Sequence, residues 1–297
     1  MTVNTRVTND FDSKLQVVTN NTGYPLDGIR LAKFFSTARE RYLIKLRREK
    51  GQTQPWTQDQ TFQEWFFCNV HREDDKVTTW FRENIRNQVG GWRAVRACYI
   101  FRFFNRIETG EVLKSMLLSE KPFSTKKAYD LLKEIRPVTN AAYIVNSPNY
   151  MPKLEGILKC IEDYSDQLEE ESKTWSGESL EEAWETFCEL PHTGAFMAYE
   201  MVSDLRWTPV LRDAKDILSW ANSGPGCARG LSWLTGCKVP RTAHLPLMRC
   251  IYSIVKENWY SNWKEWELRE VEHWLCEFDK YCRARYEHRR LKRRYKR

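Results

Sequence analysis

The chain has 297 residues, 41% of them hydrophobic, which is enough to bury the core of one large domain or of two closely packed halves. Its polar, mixed-charge start lacks the apolar centre of a signal peptide, and no segment is apolar for long enough to span a bilayer. The sequence therefore excludes a membrane protein and predicts a soluble, cytoplasmic one. The formal charge of +7 belongs to the end of the chain: residues 283–297 hold nine Lys/Arg against one acid, a net +8, and residues 1–282 carry a net −1. Such a run is either a solvated end or an arm that lies on phosphates, each neutralised phosphate adding salt-dependent affinity.

Residues 1–30, ending in TNNTGYPLDGIR, read as a loop-rich segment. From Leu31 to Lys50 the pattern is helical, with Phe34, Phe35, Ala38, Tyr42 and Leu43 on one side and arginines on the other. Pro55-Trp56-Thr57 opens a second helix, in which Thr57 and Gln60 have capping-box spacing and Phe62, Trp65, Phe66 and Phe67 form an aromatic run. It ends in the dense polar cluster 69–76. That cluster is either a solvated helix end or a site where Asn69 and Arg72 face a polar ligand and the paired acids Asp74 and Asp75 orient Arg72 or hold a divalent ion.

A short helix is expected over Thr79–Asn87 and another over Trp92–Ile107. In the second, an apolar face alternates with Arg93, Arg96, Arg102 and Arg106. Interleaved bases and rings can bind nucleic acid, or they can pack the rings and let the arginines snorkel. Further helices follow near 109–118, 124–135, 151–173 and Glu178–Glu189, with a lobe seam expected near 145–152. Ile251–Glu257 and a long final helix from about Ser261 complete the pattern. Two stripes run along that last helix. Leu268, Val271, Leu275, Phe278 and Cys282 face a core, and Trp263, Trp266, Glu270, Trp274, Glu277 and Tyr281 form a half-buried face. No segment alternates with period two, so the fold class is all-α, with one helical domain over 31–282.

Nine cysteines are spread through the chain without a Cys-x-x-Cys or a histidine at zinc-finger spacing, so reduced thiols are expected. Cys276 and Cys282 are too few for an iron–sulfur cluster.

The most concentrated chemistry lies between Leu190 and Leu231. Leu190-Pro191-His192-Thr193-Gly194 before an apolar helix has the form of a helix-hairpin-helix, whose main-chain donors can grip a DNA backbone phosphate. His192 stands where the hairpin of helix-hairpin-helix DNA glycosylases usually has its first glycine, and a plain turn between packed helices is the alternative. Glu200 and Asp204 share a face of the next helix, where two acids are expensive unless paired, exposed or functional. Asp213 and Asp216 add further carboxylates. Gly224, Gly226 and Arg229 lie in a glycine-rich stretch that could approach a phosphate, although it is neither a Rossmann fingerprint nor a P-loop.

Five motifs in order resemble a family: PWT-x-D at 55–59, F-x-N-V-x-R-E-D-D at 67–75, F-x-A-Y-E-x-x-x-D-L-R at 196–206, GPG-x-x-RGL at 224–231 and LCEFDKY at 275–281. Together they look like the phage α-glutamyl/putrescinyl-thymine pyrophosphorylases. These are also described as amino acid:DNA transferases and are related to the helical domain named after hydroxymethyluracil DNA kinases and, distantly, to helix-hairpin-helix DNA glycosylases. The resemblance implies an enzyme of the host cytoplasm whose partners are double-stranded DNA carrying a modified thymine and an amino acid or polyamine. Pyrophosphate on 5-hydroxymethyluracil would be displaced by the amine. Its charge would fall to Arg229, the amides at Gly224 and Gly226, and Arg72, with Asn69, His192 and Gly194 holding DNA. The ammonium proton would go to Asp204 or Glu200, with Asp216 in reserve. Trp274, Glu277, Asp279, Lys280 and Tyr281 would line the pocket that receives the flipped base. The resemblance fixes no cofactor: Asp74 and Asp75 could hold Mg²⁺ against the diphosphate, or lysine and arginine could do this without metal. A glycosylase or lyase on a related scaffold, and a non-catalytic DNA-binding module, are the alternatives.

Overall fold

The computed structural model describes residues 5–140, 145–148 and 150–295, with side chains from Ser13 onward. Among these residues thirteen α-helices and two short 3-10 turns form the secondary structure, and a lone antiparallel bridge pairs Trp65 with Arg294. The fold is all-α, as the sequence indicated. The chain divides into two compact units, Met1–Asp75 with Ala221–Arg297, and Lys76–Trp220. The 145–152 stretch lies inside the second unit and divides nothing. In order, the helices are α1 (Thr5–Thr22), α2 (Gly28–Glu49) and α3 (Gln60–Glu64) in the first unit. The second unit holds α4 (Lys76–Asn84), α5 (Trp92–Phe104), α6 (Ile107–Leu118), α7 (Thr125–Leu132), α8 (Lys153–Ser172), α9 (Leu180–Glu189) and α10 (Ala195–Leu205). The first unit resumes with α11 (Pro225–Thr235), α12 (Arg241–Asn258) and α13 (Leu268–Arg285).

In the first unit α13 is the central element. Leu268, Val271, Leu275, Phe278 and Cys282 are buried along it, as the core-facing stripe required, and Trp274 and Tyr281, expected on a half-buried face, are fully buried too. Its tightest neighbour is α11, where Gly226 and Gly230 are four apart and so share a face. A Cβ on Gly230 would lie 2.2 Å from the Leu275 carbonyl oxygen, and one on Gly226 would lie 2.2 Å from Cys276 Sγ. The glycines therefore let two helices touch; they do not form a loop open to a phosphate.

Three elements of this unit differ from the sequence reading. Residues 5–22 are helical although rich in Thr, Asn and Asp. Packing against α12, with Val18 buried and Lys14 paired to Glu257, outweighs that weak propensity. The second helix is only the five residues of α3, because Asp59 caps it by accepting from Thr61 N at 2.9 Å and the chain turns extended at Trp65. The last helix starts at Leu268, where Glu267 and Glu270 form a capping box, so Trp263 and Trp266 lie off the helix. They pack with Trp259, Tyr42 and Phe34 instead.

The basic end is not a loose arm. Phe66 N donates to Arg293 O at 3.1 Å and Tyr295 N to Glu64 O at 2.9 Å, and the Arg293 guanidinium lies 3.9 Å from the Phe66 ring centroid.

In the second unit α5 is buried along nearly its whole length, from Ala94 to Phe104. Two of its arginines turn inward, while Arg93 stays about one-third exposed, 3.6 Å from Glu120. Arg96 donates to the carbonyls of Ser119 and Lys121 just past α6, satisfying acceptors a helix end leaves open, and Arg102 is fully buried.

Candidate functional site: a polar cluster between residues 67–75 and the last helix

Past α3 the chain runs extended from Trp65 to Cys68 and closes a polar loop over residues 69–75. Two anchors join this loop to one face of α13. Cys68 N donates to Glu277 Oε2 at 2.9 Å, and His273 Nε2 donates to the Asn69 carbonyl at 3.0 Å. His273, Glu277 and Lys280 are spaced four and three apart, which puts them on one helical face. Lys280 Nζ lies 3.2 Å from Glu277 Oε2 and 4.8 Å from the Phe67 ring centroid. Behind the loop Arg41, on α2, donates Nε and Nη2 to the Phe67 carbonyl at 3.3 and 3.2 Å, while its Nη1 has no hydrogen-bond partner.

Asn69 sets the geometry of the loop. Its N–H donates to Asp75 Oδ1 at 2.9 Å, and its side-chain amide turns inward onto the Asp74 carbonyl at 2.7 Å. The result is a half-buried group of Cys68, Asp75 and His273 whose ligand atoms lie within 4.8 Å of one another. Burial, with Glu277 and Asp75 adding to it, pushes the Cys68 thiol well above its ordinary range. Burial also raises Asp75, against His273 and the Asn69 amide. Burial alone would raise Glu277, but Lys280, His273 and the Cys68 amide outweigh it and hold that carboxyl low. Lys280 is raised in turn: Glu277 overcomes the desolvation that opposes its charge. His71 is pushed down to about 4 by burial and by Lys264, so its imidazole is neutral.

The expected ligand groups separate on inspection. Asp74 is occupied by two lysines, Lys45 at 3.1 Å and Lys264 at 3.6 Å, and Asp75 by the Asn69 amide. The two acids therefore turn to different partners and do not face one shared site. Arg72 and Glu73 are buried and do not face outward. Positions 274, 277, 279, 280 and 281 go round α13 and do not share one face, so the expected wall splits. Glu277 and Lys280 join the cluster, Tyr281 OH donates to Asp59 Oδ2 at 2.7 Å, and Trp274 Nε1 donates to the Phe34 carbonyl at 3.3 Å in the core. Asp279 faces α11, whose Arg229 contacts it at 3.0 Å, and Arg283, one turn further along α13 itself, contacts it at 3.1 Å. Arg229 is thus a helix–helix partner, and Gly224 is the N-cap of α11, its N–H donating to Glu272 at 3.4 Å.

In the second unit the expected bases lie in separate surroundings. Asp204 is fully buried and bound by Arg102, whose Nη2 donates to Oδ1 at 2.7 Å and whose Nε donates to Oδ2; Arg86 Nη1 lies 3.2 Å from Oδ1. Glu200 is buried on the same helix. Asp216 accepts from Ser179 Oγ, Leu180 N and Glu181 N at 2.8–3.0 Å and so holds the start of α9. Asp213 is exposed and lies 3.6 Å from Arg212. The hairpin does take the expected form of two helices and a tight turn: α9 ends at Glu189, His192 adopts φ +67°, and Gly194 caps α10. His192 and Gly194 line an open depression of about 580 Å³ with Asn146, Ser147 and Cys188.

No helix among the described residues is long and apolar enough to cross a membrane. No solved structure matches the chain. A 5-hmdU DNA kinase of Bacillus phage SP10 is 28% identical over 282 residues, covering 84% of this chain and 44% of that protein. The chain thus spans less than half the length of this curated relative. The family described as "5-hmdU DNA kinase, helical domain" matches residues 29–291, which takes in both units and every residue of the cluster. With that span matched, the chain belongs to the family of the 5-hmdU DNA kinase helical domain.

Proposed function

We propose that this chain catalyses a step of thymine hypermodification in phage DNA, in which the amine of an amino acid or polyamine displaces pyrophosphate from a pyrophosphorylated 5-hydroxymethyluracil. Family membership supplies the modified base: the phage relative is named for acting on 5-hmdU in DNA. Phosphorylation itself is disfavoured, because this sequence carries no Gly-x-x-x-x-Gly-Lys-Ser/Thr loop to cradle a nucleotide.

The observation that carries the reading is the meeting of residues 67–75 with His273, Glu277 and Lys280, which puts opposite charges in one half-buried group. In the proposed step the amine nitrogen attacks the exocyclic methylene carbon. The carbon–oxygen bond breaks, and pyrophosphate leaves with its electron pair. Lys280 and the unpartnered Nη1 of Arg41 meet the leaving charge, and Glu277 pairs with the incoming ammonium and accepts its proton. In this reading they take the roles expected of Arg229, Asp204 and Asp216, whose partners include Asp279, the Arg86–Arg102 pair and the start of α9. The α9–α10 hairpin, with His192 and Gly194 at its turn, serves as a helix-hairpin-helix grip on the DNA backbone. It also supports a second reading, excision of the modified base by a glycosylase.

The test is to incubate the protein with DNA bearing the pyrophosphorylated base and a pool of amino acids and polyamines, then identify the nucleosides by mass. The expected products are an amine adduct and free pyrophosphate. Release of a free base would replace this reading with the glycosylase, and intact substrate with every donor would refute both.

A further inference from the structure

The three side chains at the centre of the cluster share a property that the proposed transfer does not use. Cys68, Asp75 and His273 offer one sulfur, one carboxylate oxygen and one imidazole nitrogen, all within 4.8 Å of one another. This is a mixed donor set of the kind that binds borderline divalent ions. Mg²⁺ and Ca²⁺ prefer oxygen alone. Three protein ligands also match the ligand number of open zinc sites, where the remaining position takes water or substrate.

The surroundings hold these groups as a built site holds its ligands. The Asn69 peptide orients two of them at once, its N–H on Asp75 Oδ1 at 2.9 Å and its carbonyl accepting from His273 Nε2 at 3.0 Å. With Nε2 used in that bond, the nitrogen that would meet an ion is Nδ1, the arrangement in which a backbone carbonyl orients a ligating histidine. The third ligand is held by its own backbone, since Cys68 N donates to Glu277 Oε2 at 2.9 Å. Beside the three, Arg41 is 5% exposed, lies in the field of Asp75, Cys68 and Glu277, and keeps Nη1 without a partner.

We propose that Cys68, Asp75 and His273 form a site for a divalent cation of the zinc class, with an open position that takes a phosphate oxygen of the pyrophosphate leaving group. Cys68 gives up its thiol proton to solvent when the ion binds. The ion brings two positive charges for the one proton lost, so a group in which Asp75 and Glu277 balance Arg41 and Lys280 becomes net cationic. A diphosphate on the ion would then meet Arg41 Nη1 and Lys280 at its other oxygens. The site itself stands on its own geometry; the identity of the anion rests on the transferase reading.

The experiment uses the full chain, stripped with a chelator and titrated with Co²⁺, followed by inorganic phosphate as the anion probe. A stoichiometric thiolate-to-cobalt charge-transfer band is expected, lost in Cys68→Ser and retained in Cys276→Ser, with melting curves confirming that each variant is folded. Should Cys68→Ser fail to fold, His273→Gln carries the comparison, and the wild-type titration decides alone if both fail. Phosphate should shift the visible d–d bands while the thiolate band persists, and should bind about tenfold tighter to the cobalt protein than to the stripped protein. Absence of the band in wild type, or its survival in Cys68→Ser, overturns the site. Unchanged d–d bands overturn the open position. Neither DNA nor amine is present, so failure here leaves the transferase reading to its own assay, and failure there leaves the metal site standing.

Discussion

Asp204→Asn separates a structural carboxylate from a catalytic one. Asp204 receives two bonds from Arg102 and one from Arg86, and all three side chains are at most 1% exposed. The asparagine keeps one acceptor oxygen but turns an amide donor toward guanidinium donors and removes the carboxylate charge the two buried arginines share. Removing one partner of a buried ion pair costs about 3–5 kcal/mol, and each charge-assisted bond lost accounts for roughly 1.5–3 kcal/mol of that. With a urea slope of roughly 1–3 kcal/mol per molar, the midpoint for the unit Lys76–Trp220 should fall by roughly 1–5 M. Tryptophan fluorescence against urea measures it, with Trp175, Trp184 and Trp220 all inside that unit. The folded fraction of the variant should keep its amine-transfer rate. A stability within about 0.5 kcal/mol of wild type, together with a rate loss of about 10²–10⁴, would refute the anchor and restore Asp204 as a general base.

Two further outcomes follow from the first unit. Burial, with Arg269 opposing it, raises Glu270 from 4.5 to about 7, so its contribution to stability is complete below pH 4.5 and is lost as pH rises through 7. Glu270→Gln has no such loss. Its urea stability relative to wild type should therefore improve by roughly 3 kcal/mol between pH 4.5 and 8, and an equal gap at both ends of that range would refute the assignment. Gly230→Ala puts a methyl 2.2 Å from a backbone carbonyl that cannot swing aside. It should destabilise the unit by about 1–3 kcal/mol in urea, and a neutral result would show that α11 and α13 do not approach as closely as described.

Much of this arrangement was legible in the sequence. The all-α class and most helices followed from periodicity, and four of the five motifs meet on one helix: Asp59 at Tyr281, residues 68–69 at Glu277 and His273, and Gly230 at Leu275. What periodicity could not give was the pairing of distant side chains. An acid on a buried helix is paired or functional, and nothing local decided between the two for Asp204, because its arginines lie 102 and 118 residues away. Cys68 and His273 escaped for the same reason. The zinc-ligand patterns that can be read from sequence are short, whereas His273 reaches Asn69 across 204 residues. The glycine-rich stretch misled because glycine serves loops and close helix packing equally well, and only the neighbour at 2.2 Å tells them apart.

The pairing of the basic end with residues 64–66 joins two things that are far apart in sequence. Phe66, whose amide is held by the Arg293 carbonyl and whose ring lies under the Arg293 guanidinium, stands two residues before Cys68. Its ring also lies 5.6 Å from Lys280 Nζ. The last residues therefore act as a splint for the segment that carries Cys68. Proteolytic nicking after Arg289 or Arg290, or a fusion attached beyond Arg297, would load that splint first. A purification handle is accordingly best placed at the other end of the chain.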